Sequence, residues 1–253
     1  MMKIRVLGCD GGQLPGFSPV SFFINNELIL DAGTITSALS LKEQHKIQNI
    51  LITHGHLDHI KDICFLGENL FLSGSYETIP IYSSEAILSD ITRNIFNGII
   101  WPNLSKIPSR KPLFTLRSIK KILRLNGLSV QAVSVDHSHA ALGYIISDQK
   151  SSVIFSGDTG PTHQLWKEAN QLKNLKAVFI ELSFPSALAD LGWQTRHLSV
   201  PTLLRELSKI KNQHIPIYLY HLKPVYFQKI KAEIQKLGLK RLRILTPKTT
   251  LHF

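Results

Sequence analysis

Residues 53–60 read THGHLDHI, so that His54, His56, Asp58 and His59 fall within six positions directly after the apolar run Ile50–Ile52. In an extended segment alternate side chains point the same way, and His54 and His56 can grip one ion together. A helix starting near Asp58 turns that carboxylate and His59 toward a neighbouring position. One short segment can then serve two adjacent ions. Neutral imidazole and carboxylate suit zinc, and also manganese or iron. No cysteine stands beside them, which excludes a structural cysteine-based zinc site. A His/Asp set with room for water is of the catalytic kind.

Other apolar runs end in residues of the same types. Asp31 closes ELILDAG, His137 and His139 follow LSVQAVSV, Asp158 closes SVIFSGD, and His221 follows IYLY. Open α/β folds place their sites at the carboxyl ends of strands. Convergence of these ends on one site is the economical reading. Asp31 could cap the turn before Gly33 or accept a hydrogen bond that orients the histidine loop, and a mixed role is favoured. His139 is the weakest member of the set, since a partly exposed loop histidine is the commoner case.

The elements that must carry these residues are short, β-branched apolar runs with turn signals between them. They are 4–7, 20–24, 28–30, 50–52, 79–82, 128–135, 142–146, 153–155, 177–180, 217–220 and 242–245, all read as strands. Segments 83–96, 200–210 and 225–237 read as amphipathic helices, the last stopped by Gly238. Residues 97–118, rich in proline and glycine, read as a long ordered loop. The expectation is a mixed α/β chain with two sheets and helices outside them.

At 253 residues, 43% hydrophobic and 19% charged, the chain suits one large globular domain over 1–253. No apolar run is long enough for a bilayer, the N-terminal stretch is too short for a signal peptide, and Cys9 and Cys64 cannot build a disulfide framework. A cytoplasmic location is expected. The net charge of +11 attracts anions and hints at a phosphate-bearing ligand.

The motif HGHLDH resembles the metal-binding signature of the metallo-β-lactamase superfamily. That resemblance implies a four-layer αββα sandwich of two mixed sheets flanked by helices. More closely, LGCDGG, LILDAGT, LITHGHLDHI, NIFNGIIWP, SGDTGPT, IELSFP, RHLS and YHLKP resemble, in order, the blocks of the class II cyclic-nucleotide phosphodiesterases. Carried over by position, the resemblance implies a first ion on His54, His56 and His137 and a second on Asp58, His59 and His221, with Asp158 bridging them. His137 is preferred to His139 because the matching ligand precedes a Gly-aromatic pair at the distance of Gly143 and Tyr144. His197, in RHLS, resembles a position used on the scissile phosphate. Lys61, Asp62 and Ile63 depart from the small residues favoured after HLDHI, which bears on packing beside the site and on substrate preference.

The chemistry so implied is hydrolysis of a 3′,5′-cyclic nucleotide, cAMP foremost, to a 5′-nucleotide by a hydroxide shared between two divalent ions. Asp58 would orient the hydroxide, and His197 would contact the phosphate or protonate the leaving oxygen. Glu181 could bond a ligand or His197. Phe96 and Trp101 are candidates to stack on the base, with core packing or a dimer contact the stronger role. No membrane partner is expected, nucleic acid is disfavoured, and the resemblance suggests a homodimer. Two rival readings stand beside this one: a tRNA 3′-end endonuclease of the same superfamily, and a non-catalytic cyclic-nucleotide or metal-binding module.

Overall fold

A computed structural model describes residues 1–74 and 77–253. The strands in chain order are β1 (Lys3–Gly8), β2 (Ser21–Ile24), β3 (Leu28–Leu30), β4 (Asn49–Leu51), β5 (Ile79–Ser83), β6 (Phe114–Ser118) and β7 (Ile122–Leu125). There follow β8 (Leu128–Ser134), β9 (Leu142–Ser147), β10 (Ser152–Phe155), β11 (Leu175–Glu181), β12 (Ile217–Tyr220), β13 (Leu242–Ile244) and β14 (Thr250–His252). The helices are α1 (Leu41–Gln44), α2 (Leu57–Ile60), α3 (Asp62–Leu72), α4 (Glu85–Asn94), α5 (Gln164–Ala169), α6 (Ala189–Gln194), α7 (Val200–Ser208) and α8 (Phe227–Lys236).

The described strands form two seven-stranded sheets, ordered β14-β1-β2-β3-β4-β5-β6 and β13-β12-β11-β10-β9-β8-β7. In these orders the first sheet runs through three antiparallel pairings and then three parallel ones, and the second through three parallel pairings and then three antiparallel ones. Side-chain alternation explains how the sheets pack. Val153, Phe155, Ala177, Phe179, Tyr218 and Tyr220 turn toward the first sheet and share its core. Their neighbours Ile154, Val178, Ile180, Ile217 and Leu219 turn the other way, under α5, α7 and α8. Phe22, Phe155 and Phe179 meet between the sheets with centroids 4.4–5.7 Å apart. The result is an αββα sandwich.

Local signals set several boundaries. The Ser84 hydroxyl accepts from the Ile87 amide at the start of α4. Ser199 and Thr202 form a capping pair at α7, with proline in its first turn. Gly238, at φ +64°, closes α8.

The expected loop 97–118 is corrected at its end, because Phe114–Ser118 is β6, paired parallel with β5. Strands β7 and β14 and helix α3 were likewise not anticipated. β6, β7 and β14 are sheet-edge strands. Their polar residues, such as Arg117, Ser118 and Arg124, suit an edge and dilute the strand pattern.

Candidate metal centre

The site sits where the carboxyl ends of strands from both sheets meet. β3 leads to Asp31, and β4 leads through Thr53 to His54, His56 and α2. β8 leads to His137, β10 to Asp158, β11 into Glu181 and Ser183, and β12 to His221. His56 is the N-cap of α2, so the chain turns helical there and aims Asp58 and His59 back at the site. Two of these residues hold left-handed backbone, Asp31 at φ +57° and His221 at φ +63°, a conformation that costs a non-glycine residue ~1–3 kcal/mol. The approach is close enough to require glycine at Gly11, where a Cβ would lie 2.5 Å from the His221 carbonyl oxygen. Gly157, at φ +63°, leads into Asp158, and a side chain there would collide with the Leu142 carbonyl.

All seven residues expected to hold metal come together. His54, His56 and His137 form one group of potential ligand atoms, and Asp58, His59 and His221 form another. His56 Nδ1 lies 3.3 Å from His137 Nε2, and His221 Nε2 lies 3.3 Å from Asp58 Oδ2. Asp158 Oδ2 stands between the groups, 3.7 Å from His54 Nε2, 3.4 Å from His59 Nε2 and 3.0 Å from His221 Nε2. Neighbouring donor atoms around a tetrahedral ion with bonds of ~2.0–2.1 Å are about 3.3–3.4 Å apart. The separations quoted, 3.0–3.7 Å, scatter around that edge length, and His59 Nε2 to Asp58 Oδ2 is longer at 4.0 Å.

The hydrogen bonds behind the rings set which nitrogen faces inward. His59 Nδ1 donates to Asp31 Oδ2 at 2.8 Å, and His137 Nδ1 donates to the Arg196 carbonyl at 3.0 Å. Thr53 Oγ1 lies 3.1 Å from His54 Nδ1, and Ser183 Oγ lies 2.9 Å from His221 Nδ1. Such outer partners fix ring orientation and leave Nε2 for an ion. His54 Nε2, His59 Nε2 and Asp158 Oδ1 are buried with no hydrogen-bond partner. Each would cost about 1–3 kcal/mol if nothing satisfied it. The donor set therefore fits divalent cations.

Electrostatics divides the five rings into two sets. Burial, helped by neighbouring rings, pushes His54 well below the usual imidazole range, and His56 and His137 are also lowered chiefly by burial. These rings are neutral, as ligands must be. Burial is the largest single effect on His59 and His221 and opposes their charge, but the carboxylates together, Asp158 with Asp31 at His59 and Asp158 with Asp58 at His221, raise both above the usual imidazole range. Asp58 is held far below the usual carboxylate range: burial opposes this, but the His221 hydrogen bond and the His59 charge prevail.

His197 lies beside both groups, its ring 4.6 Å from His137 and 5.2 Å from His221, parallel to the latter within 18°. Its Nδ1 donates to Glu181 Oε1 at 2.8 Å. Glu181 is fully buried and also accepts from the Thr159 amide at 3.1 Å and the Ser183 hydroxyl at 3.0 Å. Ser183 was not anticipated, since a serine in IELSFP carries no signal without the fold. His139 stands outside the cluster, exposed and 3.1 Å from Asp90. Phe96 is buried in the core and Trp101 meets Phe65 edge-on at 5.4 Å. Asp62 is buried and accepts from the Ile35 and Thr36 amides at 2.6 and 2.8 Å, with Lys61 on its other oxygen at 2.9 Å. The Lys61–Asp62 pair thus braces the loop after β3.

An αββα sandwich with seven His/Asp ligand candidates at its strand ends defines a metal-dependent hydrolase. Residues 28–216 match the Beta-lactamase superfamily domain, and the chain belongs to that superfamily. It is 24% identical over 249 residues to a 3′,5′-cyclic-nucleotide phosphodiesterase of Aliivibrio fischeri, covering 82% of this chain and 73% of that one. It is 28% identical over 199 residues to Ribonuclease Z of Methanococcus aeolicus, covering 70% and 59%. The crystal structure of unliganded yeast PDE1 superposes with a TM-score of 0.81 at 18% identity, covering 100% of this chain and 99% of that one.

Proposed function

We propose that the whole chain, 1–253, acts in the cytoplasm as one hydrolase domain that cleaves 3′,5′-cyclic nucleotides, cAMP foremost, to 5′-nucleotides. The observation that carries this reading is the set of inward, unpartnered ligand atoms next to the His197–Glu181 pair. His54, His56 and His137 would hold one divalent ion and Asp58, His59 and His221 a second, with Asp158 between them and zinc the favoured metal. Bound there, the ions supply a nucleophile at neutral pH and draw charge off the phosphate oxygens.

The protein's own groups do the rest. Asp58 is the open carboxylate, its side chain 26% exposed against 1% for Asp158, so it faces incoming water and orients it for in-line attack. His197 is held by Glu181 through Nδ1, which leaves Nε2 to meet a phosphate oxygen and to protonate the departing 3′ oxygen. Without that proton a ribose alkoxide is a poor leaving group. Similarity to a relative named for this activity supports the substrate class.

The Ribonuclease Z relative and the net charge of +11 favour a second reading, cleavage at the 3′ end of precursor tRNA. Salt separates the two, because tRNA contacts many phosphates and a cyclic mononucleotide only one. The deciding test is hydrolysis of 3′,5′-cyclic AMP before and after chelation, with zinc or manganese restored, alongside His56→Ala. Activity that dies with the chelator, returns with metal and is missing in the variant supports the proposal. Two bound metals with cyclic nucleotides untouched would sink it and make precursor tRNA the next substrate.

A further inference from the structure

A cavity of about 260 Å³ opens between β1, the segment after β3 and the turn before β14, and it shares no residue with the metal centre. Arg5, Ser18, Thr34, Ser37 and Lys248 line it, with Leu7 on its apolar wall. Among the described residues, no carboxylate lines it. Thr34 is 4% exposed, and its hydroxyl is buried with no hydrogen-bond partner. Buried hydroxyls are normally paired, so this one calls for a partner that the chain does not supply. Water would satisfy the hydroxyl, but water gives no reason for a guanidinium and an ammonium to share the wall with it.

The walls are held from behind. Ser18 donates its amide to Asp10 Oδ2 at 2.8 Å, and the Asp10 amide donates to the Ser18 carbonyl at 2.9 Å. The Ile35 and Thr36 amides, directly after Thr34, bond Asp62 at 2.6 and 2.8 Å. Lys248 holds left-handed backbone at φ +70°, uncommon for lysine, with its amide on the Val6 carbonyl at 2.8 Å. Arg5 gives Nη1 to Glu43 Oε1 at 2.7 Å, which leaves the rest of its N–H groups. Glu43 offsets the Arg5 charge, so the positive surplus of the cavity rests on Lys248.

We propose that this cavity binds a phosphoryl group, as free phosphate or as a small phosphomonoester. Such a group accepts charge-assisted hydrogen bonds from a guanidinium and an ammonium. Its three or more acceptor oxygens also suit the hydroxyls of Ser18, Thr34 and Ser37 better than the two oxygens of a carboxylate. The cavity backs onto the metal centre. Thr34 lies on the loop whose Asp31 bonds His59 and whose Ala32 amide bonds the His59 carbonyl at 2.6 Å. No candidate metal ligand lines the cavity, so its occupation does not depend on cyclic-nucleotide hydrolysis.

Calorimetric titration with inorganic phosphate tests the proposal, on the metal-loaded protein and on the same protein after chelation and dialysis. One binding event is expected to survive loss of the metals. Lys248→Ala is expected to weaken it ~10-fold or more, the effect of losing a charge-assisted bond. Thr34→Val keeps the shape of the side chain and is expected to weaken it ~3-fold or more. Its thermal midpoint should not fall, since no bond within the chain is lost. Glu43→Gln is expected to tighten binding ~3-fold, because the competing charge is gone. That variant also loses its ion pair with Arg5, so simple damage to the fold would move binding the other way. Glycerol 3-phosphate separates the sources. Tighter binding than phosphate marks an ester as the ligand and weaker binding marks the free ion, and either supports the site. Phosphate binding that vanishes with the metals would overturn the proposal. So would binding that survives chelation but is indifferent to both Lys248→Ala and Thr34→Val. Failure to hydrolyse cyclic AMP would change none of these outcomes.

Discussion

Glu181→Gln isolates the contribution of one buried carboxylate. His221 bonds Ser183 at 2.9 Å, Ser183 bonds Glu181 Oε2 at 3.0 Å, and His197 bonds Glu181 Oε1 at 2.8 Å. If His221 binds metal through Nε2, its Nδ1–H donates to Ser183, whose own hydroxyl must donate onward. Glutamine at 181 can keep its oxygen toward His197 and the Thr159 amide. Its NH₂ then points at Ser183, and the serine faces two donors with only the His221 carbonyl, 3.3 Å away, left to receive its proton. One charge-assisted bond becomes a neutral one and a second is reversed. At ~1.5–3 kcal/mol for a hydrogen bond to a charged group, the expected loss in kcat is about 10- to 150-fold. KM is expected to change less than ~3-fold, since ground-state binding is not the target. The assay compares cyclic AMP with bis(p-nitrophenyl) phosphate at matched metal content. The nitrophenolate leaves without a proton, so the loss on that substrate should nearly vanish. An equal loss on both substrates would show that Glu181 acts through the His221 side of the network. No loss on either would refute a role for the His197–Glu181 pair in leaving-group protonation.

Three further outcomes are expected. Metal at about 100 times its dissociation constant stabilises a native state by ~2.7 kcal/mol, so chelation should lower the midpoint of this 253-residue chain by roughly 5–10 °C in scanning calorimetry. Asp31→Asn keeps a residue tolerated at φ +57° but removes the charge that His59 and Thr53 bond, so affinity for one of two metals should fall ~10- to 100-fold by competition with a chromogenic chelator. Glu43, bonded by Arg5 at 2.7 Å and by Ser40, is lowered to about 2 from 4.5. A carboxyl depressed in the folded state contributes stability above its unfolded value and loses it as pH falls toward the folded one. Solvent screening limits the contribution to about 1 kcal/mol, so Glu43→Gln should melt ~2–4 °C lower at pH 7 than wild type, with the gap closing between pH 4.5 and 2.

The clustering of the candidate ligands was legible in the sequence because part of its constraint is local, while their division between two ions came from the family resemblance. A strand followed by HxHxDH fixes four side chains through backbone geometry alone, and Asp158 and His221 each end an apolar run of their own. What stayed hidden was what the fold alone brings together. The sequence left Glu181 between a ligand and His197 and gave Ser183 no role, because these residues meet only after the chain returns to the end of β11 through the bridge between Phe184 and Ser199 and the Ser183 and Phe184 amides on the Leu198 carbonyl. Asp62 read as an interruption of a motif because its partners, the amides of Ile35 and Thr36, lie more than 25 residues away.

Helix α3 failed to show for a different reason. Amphipathic periodicity reveals a helix only when one face is polar. Here Ile63, Leu66 and Leu70 are buried while Phe65, Phe71 and Leu72 are exposed, so the 3.6-residue signal is erased. Edge strands β6 and β7 were lost through the opposite effect, polar residues breaking an expected apolar run. With apolar residues on both its core-facing and its solvent-facing side, and only Asp62, Glu68 and Asn69 to break the run, α3 lacks the contrast between faces from which a helix is read.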